Sequence, residues 1–163
     1  MGAKGVLTAG RVLRHLADIE KMGYRFYSKL EECTPSEKVR SLAHMMKKAE
    51  QRHHQRFLEY AQRADAALDE GDMAYQLSLP PEVQRLLDAD VFVDVGRLER
   101  AAQYAGDAEM FKVAIRAEEN LALLLSQLRI YVPQKQRPFI DRVIREEWNH
   151  KAKLEENLVK HVK

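Results

Sequence analysis

A chain of 163 residues is long enough for one domain with a substantial core and too short for two of ordinary size. It is 45% hydrophobic and 32% charged, which excludes a disordered or membrane-embedded protein. Its 27 Lys and Arg nearly balance 25 Asp and Glu, leaving +2, so a general nucleic-acid binder is not expected. No apolar run reaches the length of about 18 residues needed to cross a bilayer. The first residues, MGAKGVLTAG, hold no apolar segment of signal-peptide length, so cytoplasmic residence is expected. The one cysteine, Cys33, excludes an internal disulfide framework, a four-cysteine metal centre and a thiolate-held iron–sulfur cluster. Seven Gly and five Pro are sparse punctuation and favour long helices.

In chain order, four segments carry helical periodicity. Leu13, Leu16, Glu20, Gly23, Tyr27 and Leu30 recur at steps of three and four. Thr34-Pro35-Ser36-Glu37 then reads as a capping box with Pro at the first helical position. The next stripe is Val39, Leu42, Met46, Glu50, His53, Phe57 and Tyr60, with Gly71 as its stop. Residues 71–106 hold no sustained stripe. Leu79-Pro80-Pro81 breaks the chain there, and short helical pieces are expected through Leu87 and between Asp94 and Ala105. The third stripe is Phe111, Ala114, Glu118, Leu121, Leu125 and Leu128, ending at Val132-Pro133. The fourth is Ile140, Val143, Ile144, Glu147, His150, Leu154 and Leu158, with Pro138 near its start.

The expected helices span about 8–33, 35–70, 107–131 and 134–161 in a single domain over 1–163. Short links make antiparallel neighbours and 71–106 makes a crossover. The expected fold is therefore all-α: a ferritin-like four-helix bundle of two antiparallel hairpins joined by one long connection.

Each stripe is interrupted at its middle by polar residues. Glu50-Gln51-Arg52-His53 and Glu147-Trp148-Asn149-His150 are both Glu-x-x-His, and residues three apart share a helix face. Glu20 and Glu118 take the same place on the other two stripes. Glu20 lies 30 residues before Glu50, and Glu118 lies 29 before Glu147. The midpoints fall at Pro35 and at the Val132-Pro133 junction, the two expected turns. Each hairpin thus sets one Glu level with one Glu-x-x-His, and the chain repeats that unit twice.

Sixteen Glu in 163 residues put a Glu three places before about one His in ten, or about 0.6 such pairs among six His. Two occur, both on core faces. Four carboxylates in one core cannot stay ionised without compensation. Two divalent cations would balance them, and oxygen and imidazole donors suit iron or manganese, with zinc a further acceptor.

The stretches IEKMGYRFYSKL, AEQRHHQRF and REEWNHKAKL resemble the metal-binding helices of rubrerythrins and their ferritin-like relatives. The resemblance covers all four long helices. It implies a non-haem di-iron site ligated by Glu20, Glu50, His53, Glu118, Glu147 and His150, with Tyr27 near the metals. It further implies an oxidoreductase that oxidises a ferrous pair with peroxide or dioxygen, served by an external electron donor, in a homodimer or higher homo-oligomer. Two readings stay open beside it: a ferroxidase or iron-storage subunit, and a helical module whose metals are structural. The single cysteine leaves no counterpart to the rubredoxin-type centre of rubrerythrins. Their additional Glu one turn after the third-helix ligand is Leu121 here. The six-ligand set is closer to bacterioferritin, but the Met that holds haem in that family is Gln51, so haem is not expected.

The remaining polar residues are expected to play no part as ligands. His54 points about 100° away from His53. His15, His44 and His161 lack a Glu three places earlier and are expected in solvent. Glu119 and Glu146 are expected to face outward or sideways, and Trp148 to pack on a neighbouring helix or subunit.

Overall fold

The computed structural model describes residues 8–69, 81 and 107–161. These form four long helices with no strand among them: α1 (Ala9–Cys33), α2 (Glu37–Asp69), α3 (Asp107–Leu128) and α4 (Arg137–His161). Apart from Pro81, the expected features of 71–106, from the Gly71 stop to the piece ending at Ala105, lie outside the described residues. No helix among the described residues is long and apolar enough to cross a membrane.

Thr8 starts α1. Its hydroxyl accepts from the Arg11 N–H at 3.2 Å, one of the donors that a first turn leaves unpaired. At the other end, the Thr34 N–H donates to the Leu30 carbonyl at 3.1 Å. Because Thr34 still closes α1, its backbone is extended (φ −72°, ψ 132°), and the chain needs two more residues to turn. The structure therefore corrects the expected cap of α2. Ser36, not Thr34, accepts from the Val39 N–H, at 3.3 Å. The Thr34 hydroxyl accepts from the Ser36 N–H at 3.2 Å instead. Glu37 does not reach back to the cap but pairs with Arg40 at 2.6 Å.

The second link is longer than expected. α3 ends at Leu128, and two short 3-10 turns, Arg129–Tyr131 and Gln134–Gln136, carry the chain past Pro133 into α4. Pro138 falls in the first turn of α4, where a missing N–H costs no helical bond. Arg137 satisfies carbonyls left by the turn, donating to Val132 O at 3.1 Å and Ile130 O at 3.0 Å. Arg129 pairs with Asp141 across it.

Contacts along the helices fix their directions. Between α1 and α2, Glu31 meets Lys47, Glu20 meets His53 and Arg14 meets Asp65, so the two run antiparallel. Between α3 and α4, Arg129 meets Asp141 and Glu118 meets His150, with the same consequence. α2 and α4 are antiparallel as well. Lys153 reaches Met45, Glu146 reaches His53, and Phe139 packs edge-on against Phe57 at 5.2 Å between ring centroids.

The four helices share one core. Leu13, Leu16 and Phe26 of α1, Met46 and Phe57 of α2, Phe111, Leu121 and Leu125 of α3, and Ile140 and Leu154 of α4 all belong to it. Each fully buried side chain of this size stabilises the fold by about 1.5–3 kcal/mol. This apolar packing holds a set of charged side chains away from water at the middle of the helices.

Candidate metal centre

All four helices deliver polar residues to one level of the core. Glu20, Glu50, Glu118 and Glu147 are fully buried, and His53 and His150 are only 4% and 6% exposed. They form two overlapping groups, Glu20-Glu50-His53-Glu147 and Glu50-Glu118-Glu147-His150. Within each group, one donor atom per residue lies within 4.8 Å of the others. Glu50 and Glu147 belong to both groups. Glu20 and His53 belong to one, and Glu118 and His150 to the other. The structure thus brings together all six side chains that the sequence singles out. It adds a division the spacing could not supply, with two shared carboxylates and two end pairs.

The imidazoles turn inward through Nδ1. His53 Nδ1 is 3.3 Å from Glu20 and 2.9 Å from Glu147. His150 Nδ1 is 2.8 Å from Glu147, 3.6 Å from Glu118 and 3.9 Å from Glu50. The two rings face each other at 6.4 Å between centroids, tilted by 26°. Tyr27, fully buried one level away, donates its hydroxyl to Glu118.

Proximity without metal shifts proton equilibria within the cluster. Burial, then Glu147, Glu20 and Glu118, hold the Glu50 carboxyl well above the usual carboxylate range. Burial also drives Glu118 up to about 8, against the opposing pull of His150. Burial alone would lower His53, but Glu20, Glu146 and Glu147 push it up to about 12. His150 rises to about 10 through Glu118 and Glu147, again against burial. Glu147 goes the other way: burial is outweighed by its two imidazole partners, and it falls to about 2. Burial and the nearby Glu118 raise the Tyr27 hydroxyl well above its ordinary value, so it stays a donor.

Protons alone leave the donor set incomplete. Glu20 Oε1, both oxygens of Glu50 and Glu118 Oε2 are buried with no hydrogen-bond partner. Buried carboxylate oxygens are seldom left so, because each loses its hydration without replacement. These orphaned oxygens and the two inward Nδ1 atoms fit divalent cations with oxygen and imidazole ligation. The thiol of Cys33, at the end of α1, takes no part.

Other polar residues lie around the cluster or apart from it. Glu146, expected to face outward or sideways, is half-buried and turned sideways onto α2, with Oε2 2.8 Å from His53 Nε2. That bond holds its carboxyl below the usual range. The signal for it was the Glu-Glu doublet of REEWNH, whose first member reaches α2 because α2 and α4 pack side by side. His44 is exposed as expected, with Glu31 2.8 Å from its Nδ1. His15 is only partly exposed, and its Nε2 is buried without a partner. His54 stays off the cluster as expected, its Nδ1 2.7 Å from the Ala17 carbonyl. Trp148 is 38% exposed, with the Lys151 ammonium 5.8 Å from its ring centroid. The side chain of His161 lies outside the described residues.

Comparison with protein-family models, with curated proteins and with solved structures finds no match for this chain.

Proposed function

We propose that this chain is a ferritin-like carboxylate protein of the rubrerythrin kind, an oxidoreductase whose centre holds two iron ions. The observation that carries the reading is the pair of buried groups sharing Glu50 and Glu147, each completed by one further Glu and one His. Two divalent ions would neutralise four carboxylates. In that arrangement Glu20 and His53 serve one ion, Glu118 and His150 the other, and Glu50 and Glu147 both. The helical hairpins and the sequence repeat support the bundle topology, with 71–106 as the crossover.

A ferrous pair held there would supply two electrons and Lewis acidity for the reduction of peroxide or dioxygen, with an external donor as the source of replacement electrons. The chain's own residues set the conditions. The apolar core excludes bulk water from the four carboxylates. Tyr27 donates to Glu118 and fixes the orientation of that carboxylate. Glu146 accepts from His53 Nε2, which leaves Nδ1 free to face inward. Leu121 is fully buried and offers no donor atom, so no seventh ligand comes from α3 at that level.

Metal analysis of protein purified from its own host, with an optical spectrum before and after peroxide, tests the proposal. Two irons per chain and a spectral change on peroxide are expected. Protein that carries metal and shows no change would reduce the centre to a structural role. Native mass separates the oxidoreductase from iron storage, because storage requires a closed shell of many subunits and the oxidoreductase needs only a dimer.

A further inference from the structure

The two-fold repeat is broken at one position that bears on access to the centre. The repeat matches Glu50 with Glu147 and His53 with His150, so it also matches Ala49 with Glu146. Glu146 sits against the outer edge of His53, at 2.8 Å from Nε2. The equivalent place against His150 is taken by Ala49, which has no side chain long enough to cover the ring. The space that results is a cavity of about 250 Å³ between α2 and α4, with His150, Ala49, Asn149 and Glu146 in its walls and the cations Arg52 and Lys153 beside them.

Exposure singles out the same route. The side chains of Glu20, Glu50, Glu118 and Glu147 are fully sealed, so among the six, only the two imidazoles meet the outside. His53 is capped by Glu146. His150 turns Nδ1 inward, which leaves its other edge on the cavity side. At about 30 Å³ per water, the cavity has room for several waters or a small solute. Arg52 and Lys153 outnumber the one carboxylate of the lining, Glu146, which is already paired with His53, so the balance opposes free cations and favours anions, while neutral solutes are indifferent to it.

We infer that the cavity over Ala49 is a port through which a small neutral or anionic solute reaches the centre at His150, while Glu146 closes the matching route at His53. The solute class is peroxide-sized: two or three heavy atoms, neutral or singly negative. The port as a route rests on the geometry alone. The use of the port by a metal ligand rests on the proposed metal centre.

Two measurements test these separately. In metal-free protein, hydroxyl-radical footprinting mapped by peptide mass, with a probe of one heavy atom that attacks protonated and neutral imidazole alike, should modify His150 at least about ten times faster than His53. Ala49→Leu should slow His150 to the His53 rate, and Glu146→Ala, at a half-exposed site that tolerates truncation, should raise the His53 rate. Equal rates for the two imidazoles in the unaltered chain, or an unchanged pattern in both variants, would overturn the port.

In cobalt-loaded protein, azide titrated against the visible cobalt spectrum should bind saturably. Ala49→Leu should raise its Kd at least tenfold at unchanged cobalt content, and Arg52→Glu with Lys153→Glu should raise it severalfold. Azide binding to the Ala49→Leu protein with unaltered Kd would overturn the role of the port in ligand entry. A chain that takes up no cobalt would overturn the metal centre itself, whatever the labelling shows.

Discussion

Removing the metals should make stability fall steeply as pH rises from about 5 to 8. The cause is the burial of Glu50 and Glu118 beside other carboxylates. In the unfolded chain each ionises near 4.5, whereas in the fold Glu118 keeps its proton up to about 8 and Glu50 is also held far above the usual range. A group with a raised native pKa stabilises fully below its unfolded value, and that contribution is lost as pH rises toward the native one.

Each such carboxyl gives a slope of about 1.4 kcal/mol per pH unit inside its window. Glu118 alone therefore accounts for a loss on the order of a few kcal/mol between pH 5 and 8. His53 and His150 add in the same direction above about 6.5, since both keep their protons far beyond that point in the fold. Glu147 has the opposite sign, but its window lies between about 2 and 4.5 and does not reach this range. For a chain of this size about 1 kcal/mol moves Tm by about 2–4 °C, so Glu118 alone sets a fall on the order of 10 °C, and the other three groups add to it.

The assay is thermal unfolding by circular dichroism in the presence of a chelator, at pH 5, 6, 7 and 8. Metal-loaded protein should show the reverse trend, because protons compete with metals for the same atoms. A flat or rising Tm for the metal-free protein across pH 5 to 8 would refute the clustering of these carboxyls.

Glu50→Ala should abolish binding of both metals, because Glu50 belongs to both groups, whereas His150→Ala should weaken one of them; metal content of folded protein by mass spectrometry checks this. Tyr27→Phe conserves volume but leaves a Glu118 oxygen without its donor, so the metal-free variant should lose about 1–3 kcal/mol in denaturant unfolding while metal-loaded protein loses less. Leu121 offers no donor, so the same protein ligands should hold the centre in both oxidation states. Structures of oxidised and reduced protein check it, and a new protein ligand replacing His53 or His150 would defeat it.

Four long helices, their two turns and the six polar residues on their core faces follow from the sequence itself. The apolar stripes have one period, and the nearly equal separations of Glu20 from Glu50 and Glu118 from Glu147 locate both turns. Local chemistry is legible because caps, prolines and i,i+3 pairs act over a few residues. Even there, Thr34 could not be seen closing α1 while the helix after it waited for Ser36. What only the tertiary structure decided is everything that depends on which helices lie side by side. Periodicity fixes the face a residue occupies but not the neighbour that face meets. The sharing of Glu50 and Glu147, the Tyr27 bond to Glu118, and the contact of Glu146 with His53 all cross between helices. So does the opening over Ala49, which exists because α2 and α4 pack antiparallel and set a methyl group where the other half of the repeat sets a carboxylate.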